Sequence, residues 1–239
     1  MNTTDYTHAF PPTEQLLEAV IAVGQGYSES KWVAEQLVQV AAERTSVRTT
    51  LVRIGQLSGG VSGAWNSSEW LPAMIAASSV LGSLPGGHGP VAWLPVPTAA
   101  SAIVDLIAAP HRIIHLRHPH PVAWSDMMAH FSQVLHLPVV DYLTWISDLS
   151  TIFERVDGPQ TKHAKTGLSL LDFFQSSCTS GDAAGAPVTE NNGLSILMDM
   201  GESSMCCSTL RNPGLEQLGV EDVRKWVGYW RRIGALPSL

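Results

Sequence analysis

Tyr27 and Lys31, four residues apart, form the pattern in this chain best suited to chemistry. They lie in the run Gly26-Tyr27-Ser28-Glu29-Ser30-Lys31-Trp32-Val33-Ala34-Glu35. In a helix that spacing puts both side chains on one face. A phenol with an ordinary pKa of about 10 is a poor proton donor or acceptor at neutral pH. A neighbouring ammonium favours the phenolate and lowers that pKa, so the pair is fitted to general acid–base work. Taken alone, Tyr-x-x-x-Lys more often means an exposed helix pair, and the elements that follow have to decide.

Those elements read as α/β. A helix is expected over residues 28–44, because Val33, Leu37, Val40 and Ala41 recur at helical spacing while Glu35, Gln36 and Gln39 take the other face. The β-branched run 49–54 is expected to be a buried strand. Helix followed by strand is the rhythm of an α/β fold. Residues 55–69 form a Gly/Ser-rich loop, 70–80 a helix and 91–96 a short strand. A helix over 99–108 is expected to be capped by Thr98 and stopped by Pro110. A strand at 112–116 and a helix at 124–135, with Ser125 or Asp126 near its start, come next. Residues 168–175 read as a short apolar helix, and 176–193 as a mobile loop or linker. The last helix spans 220–233, with Glu221 and Asp222 in its first turn and Arg231 and Arg232 in its last, as the helix dipole favours. Residues 1–26 look irregular apart from an apolar patch at 16–23, and there is no internal repeat.

Composition narrows the class. The chain has 239 residues, 45% hydrophobic and 15% charged, which is globular rather than disordered. Its formal net charge is −7, and without a Lys/Arg run nothing points to nucleic acid. Three cysteines (Cys178, Cys206 and Cys207) are an odd number with two adjacent, so no disulfide framework follows and a reducing compartment is expected. The N-terminus has no apolar signal core. The longest weakly polar stretch, 71–84, contains Pro72, Ser78 and Ser79 and falls short of the roughly 18 apolar residues a spanning helix needs. The expectation is a soluble cytoplasmic protein without a membrane partner.

At this point the sequence resembles a known family. The run GYSESKWVAEQLVQVAAERTSVRTTLVRIGQLSGGVSGAWNSSEWLPAMI is similar to the thioester-reductase domain of fungal nonribosomal-peptide-synthetase-like adenylate-forming reductases, shared with aminoadipate reductases and carboxylic acid reductases. The similarity continues through VAWLPVPTAASAIVDLI, IIHLRHPHPVAWSDMM and LLDFF and closes with LGVEDVRKWVGYWRRIG. The fold the resemblance implies is the Rossmann-like one of extended short-chain dehydrogenases, here incomplete, with a helical substrate subdomain at the C-terminal end. Residues 1–11 would be an unmatched lead-in, 12–110 the C-terminal part of the NAD(P)-binding domain, and 111–239 the substrate subdomain. By the same resemblance Tyr27 is the catalytic acid, Lys31 is its partner and a contact to the nicotinamide ribose, and Gly55 and Gln56 line the nicotinamide side. NADPH would deliver hydride to an acyl thioester carried on a phosphopantetheine arm of a carrier domain, giving an aldehyde. Asn66 and Glu69, in AWNSSEW, would line the acyl pocket or serve the loop by hydrogen bonding.

The family binds its nucleotide on a Gly-rich turn between a first strand and helix, and a βαβ unit takes about 30 residues. Only 26 residues precede Tyr27, so the expectation is that the N-terminal βαβ half is missing, that NADPH binds this chain weakly, and that a complementing half supplies the rest. Pro97 stands where relatives usually carry Asp. A non-catalytic remnant, a carrier- or acyl-binding module, and an epimerase or dehydratase of the same superfamily are the alternatives. The apolar faces left uncovered in such a fragment predict self-association. His115, His118 and His120 suggest a metal cluster only superficially, since no matching Cys or carboxylate set stands near them. Trp32, Trp65, Trp70, Trp93 and Trp124 read as core or pocket wall.

Overall fold

The computed structural model describes residues 13–23, 26–107, 113–155 and 198–237. The lead-in over residues 1–11, the stop at Pro110, the expected helix at 168–175, the loop at 176–193 and Cys178 lie outside the described residues.

The elements run α1 (Ala19–Ala22), α2 (Gly26–Arg44), β1 (Leu51–Ile54), β2 (Leu57–Ser58), α3 (Trp70–Leu81), β3 (Leu84–Pro85), β4 (Pro90–Val91) and β5 (Leu94–Pro95). They continue with α4 (Val96–Leu106), β6 (Ile113–Leu116), β7 (Val122–Ala123), α5 (Trp124–Leu135), β8 (Val139–Val140) and α6 (Tyr142–Arg155). After the undescribed stretch come α7 (Gly201–Cys206), α8 (Ser208–Arg211) and α9 (Val220–Arg232).

The aliphatic run of β1 pairs in parallel with β6, Leu51 opposite Ile113 through Ile54 opposite Leu116. β2 with β5 and β3 with β8 are also parallel, and β4 with β7 is antiparallel. Gly55 N–H extends the first ladder by donating to Leu116 O at 2.9 Å. Alternate residues of a strand face its two edges, so Val52 and Ile54 turn their backbone groups away from β6. Among the described residues no strand pairs with β1 on that side.

Local chemistry explains most boundaries. Gly82 and His136, both with positive φ, close α3 and α5 by donating to Ser78 O and Ser132 O. Asp222 reaches back from the first turn of α9 to the Gly219 N–H at 3.0 Å. Three expectations are corrected. The strand expected to be buried at 49–54 is β1, half-buried with Ile54 exposed, since among the described residues it is paired on one edge only. Thr98 does not cap a helix starting at 99: α4 begins at Val96 with Pro97 in its first turn, where a fixed φ and a missing N–H cost nothing. The strand expected at 91–96 is two short pieces, since Pro90 and Pro95 cannot donate to a longer ladder.

Two apolar clusters hold the described residues together. One packs α3, α5, α6 and α9 around Trp65, Trp93, Trp124, Trp145, Trp226 and Trp230. The other sets Leu94, Ala99, Ala102 and Leu106 against Ile114, Leu116, Met200, Cys207 and Leu210. Both draw on residues from either side of position 110. Indole N–H groups find acceptors inside: Trp124 on Pro85 O, Trp145 on Ser78 Oγ and Trp230 on Trp65 O. An unsatisfied buried donor would cost about 1–3 kcal/mol each. The loop before α3 closes on α9 by contact with glycine: a Cβ at Gly59 would lie 2.5 Å from the Trp226 ring, and one at Gly63 2.0 Å from Lys225 O.

α2 is different. None of its residues is buried, and its apolar stripe of Val33, Leu37 and Val40 stays exposed, Leu37 by 65%. Its ties to the rest are polar: Trp32 Nε1 donates to Leu17 O at 2.8 Å, and Glu35 pairs with Arg53 on β1.

Candidate functional site

Tyr27 and Lys31 stand in the first turns of α2, on the face directed toward β1. The Lys31 Nζ lies 5.2 Å from the centroid of the Tyr27 ring, so the ammonium rests against the phenol's π-face. Tyr27 is 74% exposed. An open groove of about 480 Å³ runs beneath them, lined by Tyr27, Lys31, Ala34 and Val38 from the helix and by residues 51–54 from the strand. Among the described residues Lys31 forms no salt bridge.

The loop after β1 is tightly constrained. A Cβ on Gly55 would meet Met198 Cε at 3.3 Å and Leu116 O at 3.5 Å, so a side chain there needs its neighbours to give way. The side chain of Gln56 is fully engaged within the protein. Its Nε2 donates to Leu57 O at 2.7 Å and to Glu69 Oε2 at 3.1 Å, while its Oε1 accepts from Trp70 Nε1 at 2.7 Å. Glu69 Oε2 also accepts from Trp65 Nε1 at 2.9 Å. Asn66 turns its Oδ1 onto the Ser68 N–H at 3.1 Å. The structure thus brings Gln56 and Glu69 into one network with two tryptophans, and sets Asn66 in the adjoining turn.

A polar network that no local sequence pattern marks lies behind the groove. Arg53 donates from Nε to Glu35 Oε1 at 2.8 Å and from Nη2 to Glu35 Oε2 at 2.7 Å, a bidentate pair with side chains only 12% and 16% exposed. Its Nη1 reaches Thr13 O at 3.1 Å and His115 Nε2 at 3.2 Å. The other His115 nitrogen, Nδ1, lies 2.7 Å from Asp199 O. The ring is therefore the neutral Nδ1–H tautomer, donating to the carbonyl and accepting from the guanidinium. Burial lowers its pKa, the Asp199 carbonyl works against that, and the Arg53 charge lowers it further. Glu14 joins the same region. It accepts from the His115 N–H at 2.8 Å, from the Glu202 N–H at 2.5 Å, and from the backbone N–H and hydroxyl of Ser203. It closes the outer edge of β6 and caps α7. The one local signal in the sequence was Glu35 itself, which extends the Tyr27–Lys31 stripe by a further turn.

The remaining reactive residues have structural partners. His118 Nε2 donates to Glu216 O at 3.1 Å and its Nδ1 accepts from the His120 N–H at 3.1 Å. Burial pushes up the thiols of both Cys206 and Cys207. Asp105 on α4 accepts from Ser208 Oγ at 2.7 Å and from Thr209 N–H and Oγ1 at 2.7 and 2.8 Å. Those bonds, the Thr209 backbone first, lower its pKa from 3.8 to about 2.

Residues 12–103 match the family model described as male sterility protein, an NAD-binding module. The adenylate-forming reductase Nps10 of Heterobasidion annosum is 39% identical over 237 residues, covering 98% of this chain and 22% of the relative. The non-reducing polyketide synthase pgmA of Aspergillus terreus is 30% identical over 219 residues, covering 88% of the chain and 9% of the relative. The chain thus spans about a fifth or less of the length of these curated relatives. Among solved structures, the terminal R domain from the myxalamid PKS-NRPS biosynthetic pathway superposes with a TM-score of 0.72 at 25% identity, covering 93% of this chain and 53% of that one. The reductase domain of an aureusimine biosynthetic cluster shares the fold, with a TM-score of 0.58 at 15% identity.

Proposed function

The chain is a homologue of the reductase domains of fungal adenylate-forming reductases, with the male-sterility NAD-binding module over residues 12–103, and on that premise we propose that it supplies the acid–base part of a reductase that converts a carrier-bound acyl thioester to an aldehyde with NADPH. The observation that carries this reading is the Tyr27–Lys31 pair at the open groove along β1. An exposed phenol and an exposed ammonium over the C-terminal end of β1 suit the ribose and nicotinamide end of such a cofactor. When bound, the cofactor supplies hydride to the thioester carbonyl carbon. Tyr27 Oη gives its proton to the oxygen of that carbonyl as negative charge develops there. Lys31 holds the ribose hydroxyls and keeps a positive charge beside the phenol. The resulting hemithioacetal breaks its C–S bond, its hydroxyl proton passes to the departing sulfur, and aldehyde and thiol separate.

Gly55 offers backbone alone to the nicotinamide side. Gln56 acts there through its backbone N–H, its side-chain amide being committed to Leu57, Glu69 and Trp70 and its carbonyl to the Leu94 N–H. Asn66 and Glu69 shape the adjoining acyl wall through the groups they hold, without touching the reacting atoms. The phosphate-binding turn and the carrier domain belong to other parts of the reductase polypeptide in this scheme.

The test is kinetic. In a reductase polypeptide containing these residues, assayed with NADPH and a phosphopantetheine thioester, Tyr27→Phe lowers aldehyde formation by about 10²–10⁴-fold and leaves cofactor affinity nearly unchanged. Lys31→Ala weakens both. Undiminished turnover in Tyr27→Phe would remove the tyrosine from the mechanism.

A further inference from the structure

Glu35 stands one helical turn beyond Lys31 and two beyond Tyr27, so a single stripe of α2 carries a phenol, an ammonium and a carboxylate. Lysine and glutamate at this spacing are neighbours on a helix and ordinarily attract. Here they are kept apart. Both Glu35 oxygens are held by Arg53, in a bidentate and largely buried pair, while the Lys31 ammonium lies over the Tyr27 ring. Such a pair outcompetes an exposed Lys–Glu contact in the weaker sequence order. Arg53 is itself fixed by Thr13 O and His115 Nε2, so it cannot swing away with the helix. Among the described residues, the titratable and charged groups facing this part of α2 are Arg53 in the groove, His115 behind it, and Glu14 on the His115 backbone.

We propose that Arg53 is a positioning residue: it sequesters Glu35, and so leaves Lys31 free to partner Tyr27. The catalytic meaning of this arrangement rests on the reading of Tyr27 and Lys31 given above, but the sequestration does not. A purely structural ion pair treats its two members alike. Sequestration does not: losing Arg53 releases a carboxylate that captures Lys31, whereas losing Glu35 removes the competitor and leaves Lys31 in place.

The experiment uses that asymmetry. In the isotopically labelled chain, the Lys31 ε-methylene resonances carry a ring-current displacement from Tyr27, calibrated against Tyr27→Leu. Arg53→Met should lose most of that displacement. Glu35→Gln should keep it, and Arg53→Met with Glu35→Gln should regain it. Where Arg53→Met does not fold, Arg53→Lys serves instead, because one ammonium cannot grip both oxygens; its displacement should fall and be restored by adding Glu35→Gln. Unchanged displacement on loss of Arg53, or equal loss in Glu35→Gln, overturns the proposal. In the active reductase, the arginine variant should also lower kcat, Glu35→Gln should not, and the double variant should recover it. A resonance change without any change in kcat would uphold the sequestration and sink the acid–base reading instead.

Discussion

A side chain four residues from its partner can be read from sequence; one sixty or a hundred residues away cannot. Tyr27 and Lys31 were legible because a helix turns their spacing into contact. Glu35 with Arg53, Arg53 with His115, and Asp105 with Thr209 were not, because nothing in their local patterns names a partner 18, 62 or 104 positions on. Gln56 shows the complementary limit. Its type and place suggested a cofactor contact, but whether its amide was available depended on Glu69 and Trp70. Asp105 yields a prediction at this scale. Its pKa in the folded chain, about 2, is below the ordinary 3.8, so its contribution is fully present above that ordinary value and lost as pH falls from about 4 toward 2. Asp105→Ala should therefore destabilise by about 1 kcal/mol at neutral pH, the usual size of a lost helix cap. The gap from the unmodified chain should close toward pH 2, as urea titrations at several pH values would record.

Among the elements, the long periodic ones are legible in the sequence. α2, α3, α5 and α9 fall within two residues of expectation, because apolar spacing and capping residues agree there. α6 has a cap and a buried face in its sequence that the reading above does not use: Asp141 Oδ2 accepts from the Leu143 and Thr144 N–H groups, and Trp145, Ile146 and Leu149 point inward, but the helix follows directly on Pro138 and two residues of strand. The Gly/Ser-rich stretch after β1 is a packing surface as well as a loop. Its glycines let the backbone lie against α9 where a Cβ has no room. Gly63 has φ +78° and would place a Cβ 2.0 Å from Lys225 O, so Gly63→Ala should cost more than about 3 kcal/mol. Gly228 in α9 has open space around its Cβ position, and Gly228→Ala should stabilise by about 0.5–1 kcal/mol through helix propensity alone. Denaturant midpoints with equal slopes would verify the two opposite signs.

At the scale of the whole molecule, the described residues divide their apolar surface unevenly. Two clusters bury tryptophans and aliphatics thoroughly, while the stripe of α2 stays exposed and, among the described residues, no strand pairs with the free edge of β1. The α/β class is legible because strand and helix signals alternate; which faces stay open is a matter of tertiary placement. An exposed apolar stripe beside an unpaired strand edge favours association. The 239-residue chain on its own should sediment as oligomers at micromolar concentration, and Leu37→Lys with Ile54→Lys should shift it toward monomer; a monodisperse monomer before substitution would count against this. Glu14 carries a different kind of consequence. Its carboxylate joins positions 101 and 188 residues away along the chain, contacts of very high sequence separation whose loops are the slowest to close. That junction can form only after β6 and α7 have arrived, so it belongs to the last step of folding and the first of unfolding. Glu14→Gln should then steepen the rate at which the native state opens while leaving the refolding rate almost untouched, a change confined to the unfolding arm of the chevron.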